Sequence, residues 1–189
     1  MTKAELYEEL NYVNHSREKR QYYANLVIQN PKLIPPLLEI LFEVDDKISC
    51  RAAWVFEFMC KHDIEASIPY LDTFTQYMNT VHLDPAVRPV AKVCEYLIDA
   101  YYSKHNNPIK SNLKDEHRER IIEACFDWMI NDEKIAPKAY AMNCLYQLGF
   151  DYDWVHPELI IILERDYQMQ SSGFKARARG ILKKIRKTS

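Results

Sequence analysis

The sequence predicts an all-α fold in which pairs of helices pack side by side. Only three glycines occur in 189 residues, all after residue 148, whereas an all-β domain needs many turn glycines. Apolar residues recur at the i, i+3, i+4, i+7 spacing of one helix face. One local pattern also returns four times: a capping residue, a bulky apolar residue three positions later, and an alanine four positions after that.

The four copies of this pattern define a repeat. They are Asp45/Ile48/Ala52, Asp84/Val87/Ala91, Asp132/Ile135/Ala139 and Ser171/Phe174/Ala178. Asp and Ser are common N-caps because their side-chain oxygens accept free backbone N–H groups of the first helical turn. The alanines are 39, 48 and 39 residues apart, a period typical of stacked helical pairs. We therefore expect a right-handed α-α superhelix, or solenoid, of about ten helices.

One domain is expected over residues 1–189, because this length is enough for one continuous core. Residues 1–30 are predicted to form an N-terminal cap of two helices, 3–13 and 15–29. The second ends at Asn30-Pro31, since the residue before proline disfavours helical backbone.

Four helical hairpins are predicted after this cap. They occupy residues 31–62, 64–103, 117–149 and 155–187. In the first hairpin, Asp45 is expected to cap the second helix. In the third hairpin, Gly149 stands where a left-handed C-cap would fall. Residues 103–116 are polar, contain Asn-Asn-Pro and lack an apolar stripe, so they are predicted to form a loop inserted between repeats.

Two segments resemble the HEAT repeats, whose unit typically runs Leu-Leu-Pro-x-Leu-Leu, an aspartate-bearing turn, and Val-Arg-x-x-Ala. Residues 33–41, followed by Asp45 and Ile48, are similar to the first half of that unit. Residues 84–91, DPAVRPVA, are similar to the second half. The resemblance covers roughly residues 31–187 and implies a two-helix repeat. The arginine of the motif is matched by Arg88 and Lys175, but Ser49 and Ala136 stand there in the other copies.

Composition limits the function classes. No apolar run approaches the ~18 residues that span a bilayer, the N-terminus is charged from residue 3, and the five cysteines form no CxxC pair. A cytoplasmic protein with reduced thiols is therefore expected. No histidine has a second histidine or a cysteine at i+3 or i+4, and glycine-rich phosphate loops are absent, so neither metal nor cofactor is predicted.

Charge is unevenly distributed along the chain. The net charge is −2, but from Ser171 onward there are seven cations and no acid, which leaves 18 basic and 27 acidic residues before it. This basic helix either caps the solenoid with a polar outer face or binds an anionic partner.

Trp54 is the most conspicuous candidate for binding. It lies about 140° around its helix from the apolar stripe, on the same side as Lys47, Phe58 and Lys61. An aromatic ring between cations could stack on a base or clamp a peptide. The alternative is that Trp54 packs against the neighbouring repeat.

The expected function is a non-catalytic protein-interaction or scaffold module. The candidate surface comprises Lys47, Trp54, Phe58, Lys61, Arg88, Lys92, Lys138, Lys175 and Lys184. The alternative is nucleic-acid binding, or base repair like that of the DNA-alkylation-repeat proteins, similar all-helical solenoids that use aspartate and tryptophan in a basic concave groove. The pair Asp127-Trp128 resembles that arrangement, although net charge does not support it. For a small-molecule enzyme, the sequence offers no nucleophile–base pair.

Overall fold

A computed structural model describes residues 1–188, and over them the chain is all-helical. In this part of the chain 79% of residues are helical, no strand occurs, and eleven α-helices follow one another, which confirms the predicted all-α class. They are α1 Lys3–Leu10, α2 Arg17–Gln29, α3 Ile34–Leu41, α4 Lys47–His62, α5 Leu71–Tyr77, α6 Asp84–Tyr101, α7 Ile109–Asn112, α8 Asp115–Ile130, α9 Ile135–Leu148, α10 Val155–Asp166 and α11 Ser172–Thr188.

Contacts between the helices form two rows. Helices α2, α4, α6, α9 and α11 each contact the next, and we call this succession the B row. The A row contains α1, α3, α5, α8 and α10, in which α1 contacts α3, and α8 contacts both α5 and α10. The two rows pack together where α3 meets α4, where α8 meets α9, and where α10 meets α9 and α11.

Helices α4, α6 and α9 of the B row run in the same direction, and so do α5 and α8 of the A row. This follows from contact partners that ascend together along both helices. In the B row the pairs are Trp54 with Pro85, Glu57 with Arg88, Lys92 with Tyr140, and Asp99 with Gln147. In the A row they are Asp72 with His117, Thr75 with Arg120, and Asn79 with Asp127.

Three of the four predicted alanines lie in the core, and the prediction for Ala139 is wrong. Ala52, Ala91 and Ala178 are fully buried, as small residues must be where helices cross at about 8–10 Å. Ala139 is only half-buried and Ile135 is exposed. In α9 the buried apolar residues are Pro137, Ala141, Met142, Cys144, Leu145 and Leu148. The reason is that α9 contacts α6, α8, α10 and α11, so apolar residues occupy several of its sides.

The predicted N-caps are right for one helix. The Ser171 hydroxyl accepts a hydrogen bond from the Phe174 backbone N–H at 3.3 Å. For α4 the prediction is wrong by one residue, because Asp46 rather than Asp45 caps the helix and accepts from the Ile48 N–H at 2.8 Å. The Tyr7 hydroxyl also donates to Asp46, so a contact from α1 selects between two adjacent aspartates.

The other two aspartates do not cap a helix. Asp84 lies inside the first turn of α6, where its negative charge complements the helix dipole. Asp132 precedes α9 by three residues, and Lys134 occupies the N-cap position without a side-chain hydrogen bond. The predicted helix 3–13 ends earlier, at Leu10, and the predicted helix 15–29 begins at Arg17 after the N-cap Ser16.

The segment 103–116 is not wholly a loop, which corrects the prediction. It contains the single-turn helix α7, and α8 already begins at Asp115. Ile109 and Leu113, four residues apart, are both buried in the core. Two apolar residues are too few to form a recognisable stripe, yet they are enough to fix one turn against α6.

Gly149 follows α9 without adopting a left-handed conformation, which also corrects the prediction. Its φ is −65° and its ψ is −5°, ordinary right-handed values. Glycine is required there by close approach, since a Cβ atom would lie 2.1 Å from the His156 Cδ2 atom. His156 in turn lies 2.8 Å, through Nε2, from the Tyr146 carbonyl oxygen. Over residues 1–188, no helix combines the length and apolar character needed to cross a membrane.

Candidate interaction surface

Cations and aromatic rings lie next to one another along one partly exposed side of the B row. We call this surface the B-row face. It comprises Arg20, Trp54, Phe58, Lys61, Arg88, Lys92, Tyr96, Tyr140, Asn143, Tyr146 and Lys184. The residues come from five successive helices, so their alignment is a product of the tertiary fold.

At the α2–α4 end of this face, Arg20 stacks on two rings. Its guanidinium carbon lies 4.9 Å from the Phe58 ring centre and 5.8 Å from that of Trp54. The Trp54 indole N–H donates to the Pro85 carbonyl oxygen of α6 at 2.7 Å. Trp54 therefore packs against the neighbouring helix pair, which was the alternative weighed from the sequence, and only part of its ring stays accessible.

Between α4 and α6, the buried carboxylate of Glu57 meets Arg88. The two guanidinium nitrogens of Arg88 donate to the two Glu57 oxygens at 3.2 and 2.6 Å. Burial alone would lower the pKa of Arg88, but the hydrogen bonds and negative charge of Glu57 outweigh it and raise that pKa. Such a bidentate pair has a fixed geometry.

Between α6 and α9, Lys92 is enclosed by two tyrosines and a carboxylate. Its ammonium group lies 4.8 Å from the Tyr96 ring centre and 4.6 Å from that of Tyr140, and it contacts the buried Glu95 carboxylate. Burial would lower the pKa of Lys92, but Glu95 raises it overall. The cation thus fixes the orientation of both rings.

A groove lies between α9 and α11 at the far end of the face. Its volume is about 460 Å³. Asn143, Gly173, Ala176, Arg177, Gly180, Ile181 and Lys184 line it. The Lys184 ammonium lies 5.2 Å from the Tyr146 ring centre. On the opposite side, Asn143 donates to Asp99 of α6 at 3.2 Å, so the groove adjoins the α6–α9 part of the face.

The structure brings six of the nine predicted surface residues together on the B-row face. These are Trp54, Phe58, Lys61, Arg88, Lys92 and Lys184. Lys47 is exposed in the first turn of α4. Lys138 is buried. The hydrogen bonds from Arg165 lower the pKa of Asp166, and the charge of Lys138 adds to this lowering. Lys175 is also elsewhere, because its ammonium donates to the Gln168 carbonyl oxygen at 3.1 Å.

Several residues of the face are missing from the sequence-based prediction. Tyr96 had a local signal, because it follows Lys92 by four residues and therefore shares its side of α6. Tyr140 and Glu57 had no local signal, because Tyr140 contacts Lys92 and Glu57 contacts Arg88 from a different helix.

One cluster has the residue types of a metal site, but its hydrogen bonds explain it. Ligand atoms of Asp72, Glu116 and His117 lie within 4.8 Å of one another. The Lys114 N–H donates to His117 Nδ1 at 3.1 Å, so in the neutral ring the proton is on Nε2. That proton is donated to Asp72 Oδ1 at 2.8 Å, and a metal would need the lone pair of the same nitrogen. The cluster therefore ties α5 to α8.

The residues considered for catalysis lie away from the B-row face. Asp127 belongs to α8 in the A row, and it accepts a hydrogen bond from Asn79 at 2.6 Å instead of facing an apolar pocket. Trp128 is buried beside it.

All five cysteines are buried free thiols. Burial raises the pKa of Cys60, Cys94 and Cys125 well above the ordinary thiol value, so these three are poor nucleophiles.

Comparison of the chain with protein-family models, curated proteins and solved structures gives no match.

Proposed function

We propose that the chain is a HEAT-like, right-handed α-solenoid that acts as a non-catalytic protein-interaction module through its B-row face. Two features of the packing support this architecture. Each B-row helix contacts the next, and α4, α6 and α9 run in the same direction, as do α5 and α8 of the A row. Small buried residues, such as Ala52 and Ala91, recur where B-row helices pack. Solenoids of stacked helical pairs use the surface of one row as an extended binding surface.

The observation that most supports binding is the ordered array of cations and rings on this face. Tyrosine, tryptophan and arginine are the residues most enriched at the energetic centres of protein interfaces. Here Tyr96 and Tyr140 are held by Lys92, and Trp54 is held by its hydrogen bond to Pro85. Side chains fixed before binding lose little entropy when a partner docks.

The charges of the face fit binding better than catalysis. Glu57 and Glu95 are its buried carboxylates, and each already forms an ion pair, with Arg88 and Lys92 respectively. A general acid or base must contact the substrate, whereas both carboxylates are already occupied by cations of the chain itself.

Nucleic-acid binding remains the second candidate, because α2, α4, α6 and α11 each place at least one cation on the B-row face. Its weakness is that Arg88 and Lys92 are neutralised by their own carboxylates, which leaves fewer charges for phosphates. Base repair in the DNA-alkylation-repeat manner would also need an aspartate beside the aromatic rings, and Asp127 lies in the other row. The carboxylates on the face, Glu57 and Glu95, are paired with Arg88 and Lys92.

Affinity capture followed by mass spectrometry tests the proposed function. The bait is the wild-type chain, a double variant Tyr96→Ala/Tyr140→Ala on the B-row face, or a control Tyr12→Ala/Tyr22→Ala. Tyr12 and Tyr22 are exposed tyrosines outside the B-row face. We expect specific proteins on the wild type and the control that are lost from the Tyr96/Tyr140 variant.

Two results would contradict the proposal. One is an identical set of captured proteins on all three baits. The other is capture of nothing specific while duplex DNA is retained in a salt-dependent way, since counterion release is diagnostic of phosphate contacts.

A further inference from the structure

We propose that the pocket between α8 and α10 of the A row binds an arginine side chain of a partner protein. It is a second interaction site, on the other row of helices, and it does not depend on the proposed role of the B-row face. The inference follows from the charges of the two rows, from the residues that line the pocket, and from a comparison of Trp154 with Trp54.

The two rows of helices have opposite net charge. The A-row helices contain 13 acidic and 4 basic residues, whereas the B-row helices contain 5 acidic and 16 basic residues. The A row is therefore electrostatically complementary to a cationic partner, and it repels phosphate groups. This difference specifies the kind of partner that the A row accepts, and the pocket specifies where the partner is bound.

A pocket of about 340 Å³ lies between α8 and α10. Phe126 and Ile130 line it from α8, and Trp154, Glu158 and Ile162 line it from the N-terminal part of α10. No cation of the described residues lines it. Ile130 and Trp154 are 56% and 53% exposed, so the pocket is open to a partner. This lining suits an arginine, whose hydrocarbon stem packs on aliphatic side chains while its guanidinium contacts a ring and a carboxylate.

The Glu158 carboxylate has no cation of its own. Over residues 1–188 it forms no ion pair and accepts no hydrogen bond from a side chain. Glu164 of the same helix differs, because it is paired with Arg186 at 2.8 Å. Glu158 follows Trp154 by four residues, so the ring and the carboxylate lie on one side of α10. A cation above the ring would therefore also be close to a negative charge.

Trp54 shows what the indole of Trp154 lacks. The Arg20 guanidinium carbon lies 5.8 Å from the Trp54 ring centre, and the Trp54 N–H donates to the Pro85 carbonyl oxygen at 2.7 Å. Trp154 stacks on Phe126, with ring centres 5.6 Å apart and an angle of 26° between the planes. Within residues 1–188, the Trp154 ring contacts no cation and its N–H has no acceptor. An arginine of a partner would supply the guanidinium, and the backbone next to it would supply the carbonyl.

The geometry favours arginine over lysine in this pocket. A planar guanidinium stacks on an indole ring while its N–H groups donate to a carboxylate, which an ammonium group cannot do in the same way. The contact with Phe126 fixes the Trp154 ring before binding, so little side-chain entropy is lost when a partner docks. Tryptophan and arginine are also both enriched at the energetic centres of protein interfaces.

A nuclear magnetic resonance titration of the nitrogen-15-labelled full chain tests the inference through the indole N–H signals of its three tryptophans. Trp154→Phe identifies the Trp154 signal, because phenylalanine has no indole N–H. The probe is the tripeptide acetyl-Leu-Arg-Leu-amide, and its matched control has citrulline, an uncharged isostere, in place of arginine. We expect a saturable shift of the Trp154 signal with the arginine peptide and about tenfold weaker binding of the citrulline peptide.

Two substitutions separate the carboxylate of the pocket from the charge of the row. Glu158→Gln removes the carboxylate that lines the pocket, and Glu119→Gln removes an exposed carboxylate of α8 outside it. We expect Glu158→Gln to weaken binding of the arginine peptide about threefold and Glu119→Gln to change it less than about 1.5-fold. Both side chains are exposed, so thermal unfolding of both variants should resemble that of the wild type.

Four outcomes of these titrations would overturn the inference: an unchanged Trp154 signal, equal binding of the two peptides, equal effects of the Glu158 and Glu119 substitutions, or free arginine binding as tightly as the tripeptide. The last result would indicate a small-molecule ligand. Dimers that Trp154→Ala abolishes in analytical ultracentrifugation would overturn it as well, because a second copy of the chain would then occupy the pocket. None of these results depends on the Tyr96 and Tyr140 region of the B-row face.

Discussion

The Glu57 carboxylate of α4 accepts two hydrogen bonds from the Arg88 guanidinium of α6, and this pair joins two B-row helices. The Glu57 side chain is only 8% exposed, whereas that of Arg88 is 33% exposed. Removal of the arginine would leave a buried carboxylate without a partner.

We therefore expect Arg88→Met to destabilise the chain by about 3 kcal/mol, the lower end of the range for breaking a buried ion pair. The double variant Glu57→Gln/Arg88→Met removes the unpaired charge and should recover part of this loss. Urea unfolding of the wild type, both single variants and the double variant gives the coupling energy. Strictly additive effects would mean that the two residues do not act as a pair.

The second prediction concerns the N-cap of α4. Asp46→Ala removes the acceptor for the Ile48 N–H and the partner of the Tyr7 hydroxyl, so it should cost about 1 kcal/mol. Asp45→Ala is the matched control, because Asp45 is exposed and its ion-pair partner His82 is also exposed. Chemical unfolding should rank the Asp46 variant clearly below the Asp45 variant. The reverse order would restore the cap suggested by the sequence pattern.

Helices α4, α6 and α11 show which buried positions could be predicted from the sequence. Helix α11 buries one face and exposes the other, so periodicity locates Ala178 correctly. Ala52 and Ala91 are also buried as predicted, although residues 48–60 of α4 and 86–98 of α6 include no exposed residue. Helix α9 is contacted on several sides, so its pattern did not determine its register. Asp45 and Asp46 differ only through a contact with Tyr7, which local sequence does not contain.

The candidate surface was only partly predictable for a related reason. Cations and Trp54 were visible as residues on one side of a helix. The partners that neutralise or orient them, such as Glu57 and Tyr140, come from helices 31 and 48 residues away along the chain. The sequence therefore indicated the cations of the face, but it did not indicate the buried carboxylates that form ion pairs with them.

The third prediction is a pH dependence that arises from Tyr23. Burial, together with its hydrogen bond to Glu9, raises the pKa of Tyr23 from 10.0 to about 12. The unfolded chain releases this proton near its ordinary pKa, while the folded chain retains it. The contribution to stability is therefore intact below pH 10 and is lost as the pH rises towards 12.

Unfolding free energies of the wild type and Tyr23→Phe across this range test that dependence. The wild type should lose stability more steeply than the variant, because phenylalanine has no proton to release. The other tyrosines are common to both chains and cancel in the difference. A difference that stays constant with pH would show that the Tyr23 hydroxyl titrates alike in the folded and unfolded chains.

The fourth prediction compares two glycines. Gly180→Ala should raise stability by up to about 1 kcal/mol, because the added methyl group meets no atom and alanine favours the helix. Gly149→Ala should lower it by about 1–3 kcal/mol, because the His156 ring occupies the position of the methyl group. Thermal unfolding of both variants checks the two signs. If both substitutions stabilise, the contact between Gly149 and His156 is wrong.

The central claim is that the B-row helices follow one another in an open succession and so form an extended face. Spin labels on cysteines introduced at Lys19 of α2 and Arg179 of α11 test it by pulsed electron paramagnetic resonance. The unmodified chain, whose five cysteines are buried, serves as the labelling control. Four steps of about 8–10 Å between neighbouring helices give a label separation of about 30–40 Å. A distance of about 20 Å or less would mean that the first and last helices meet in a closed bundle, and it would contradict the extended face.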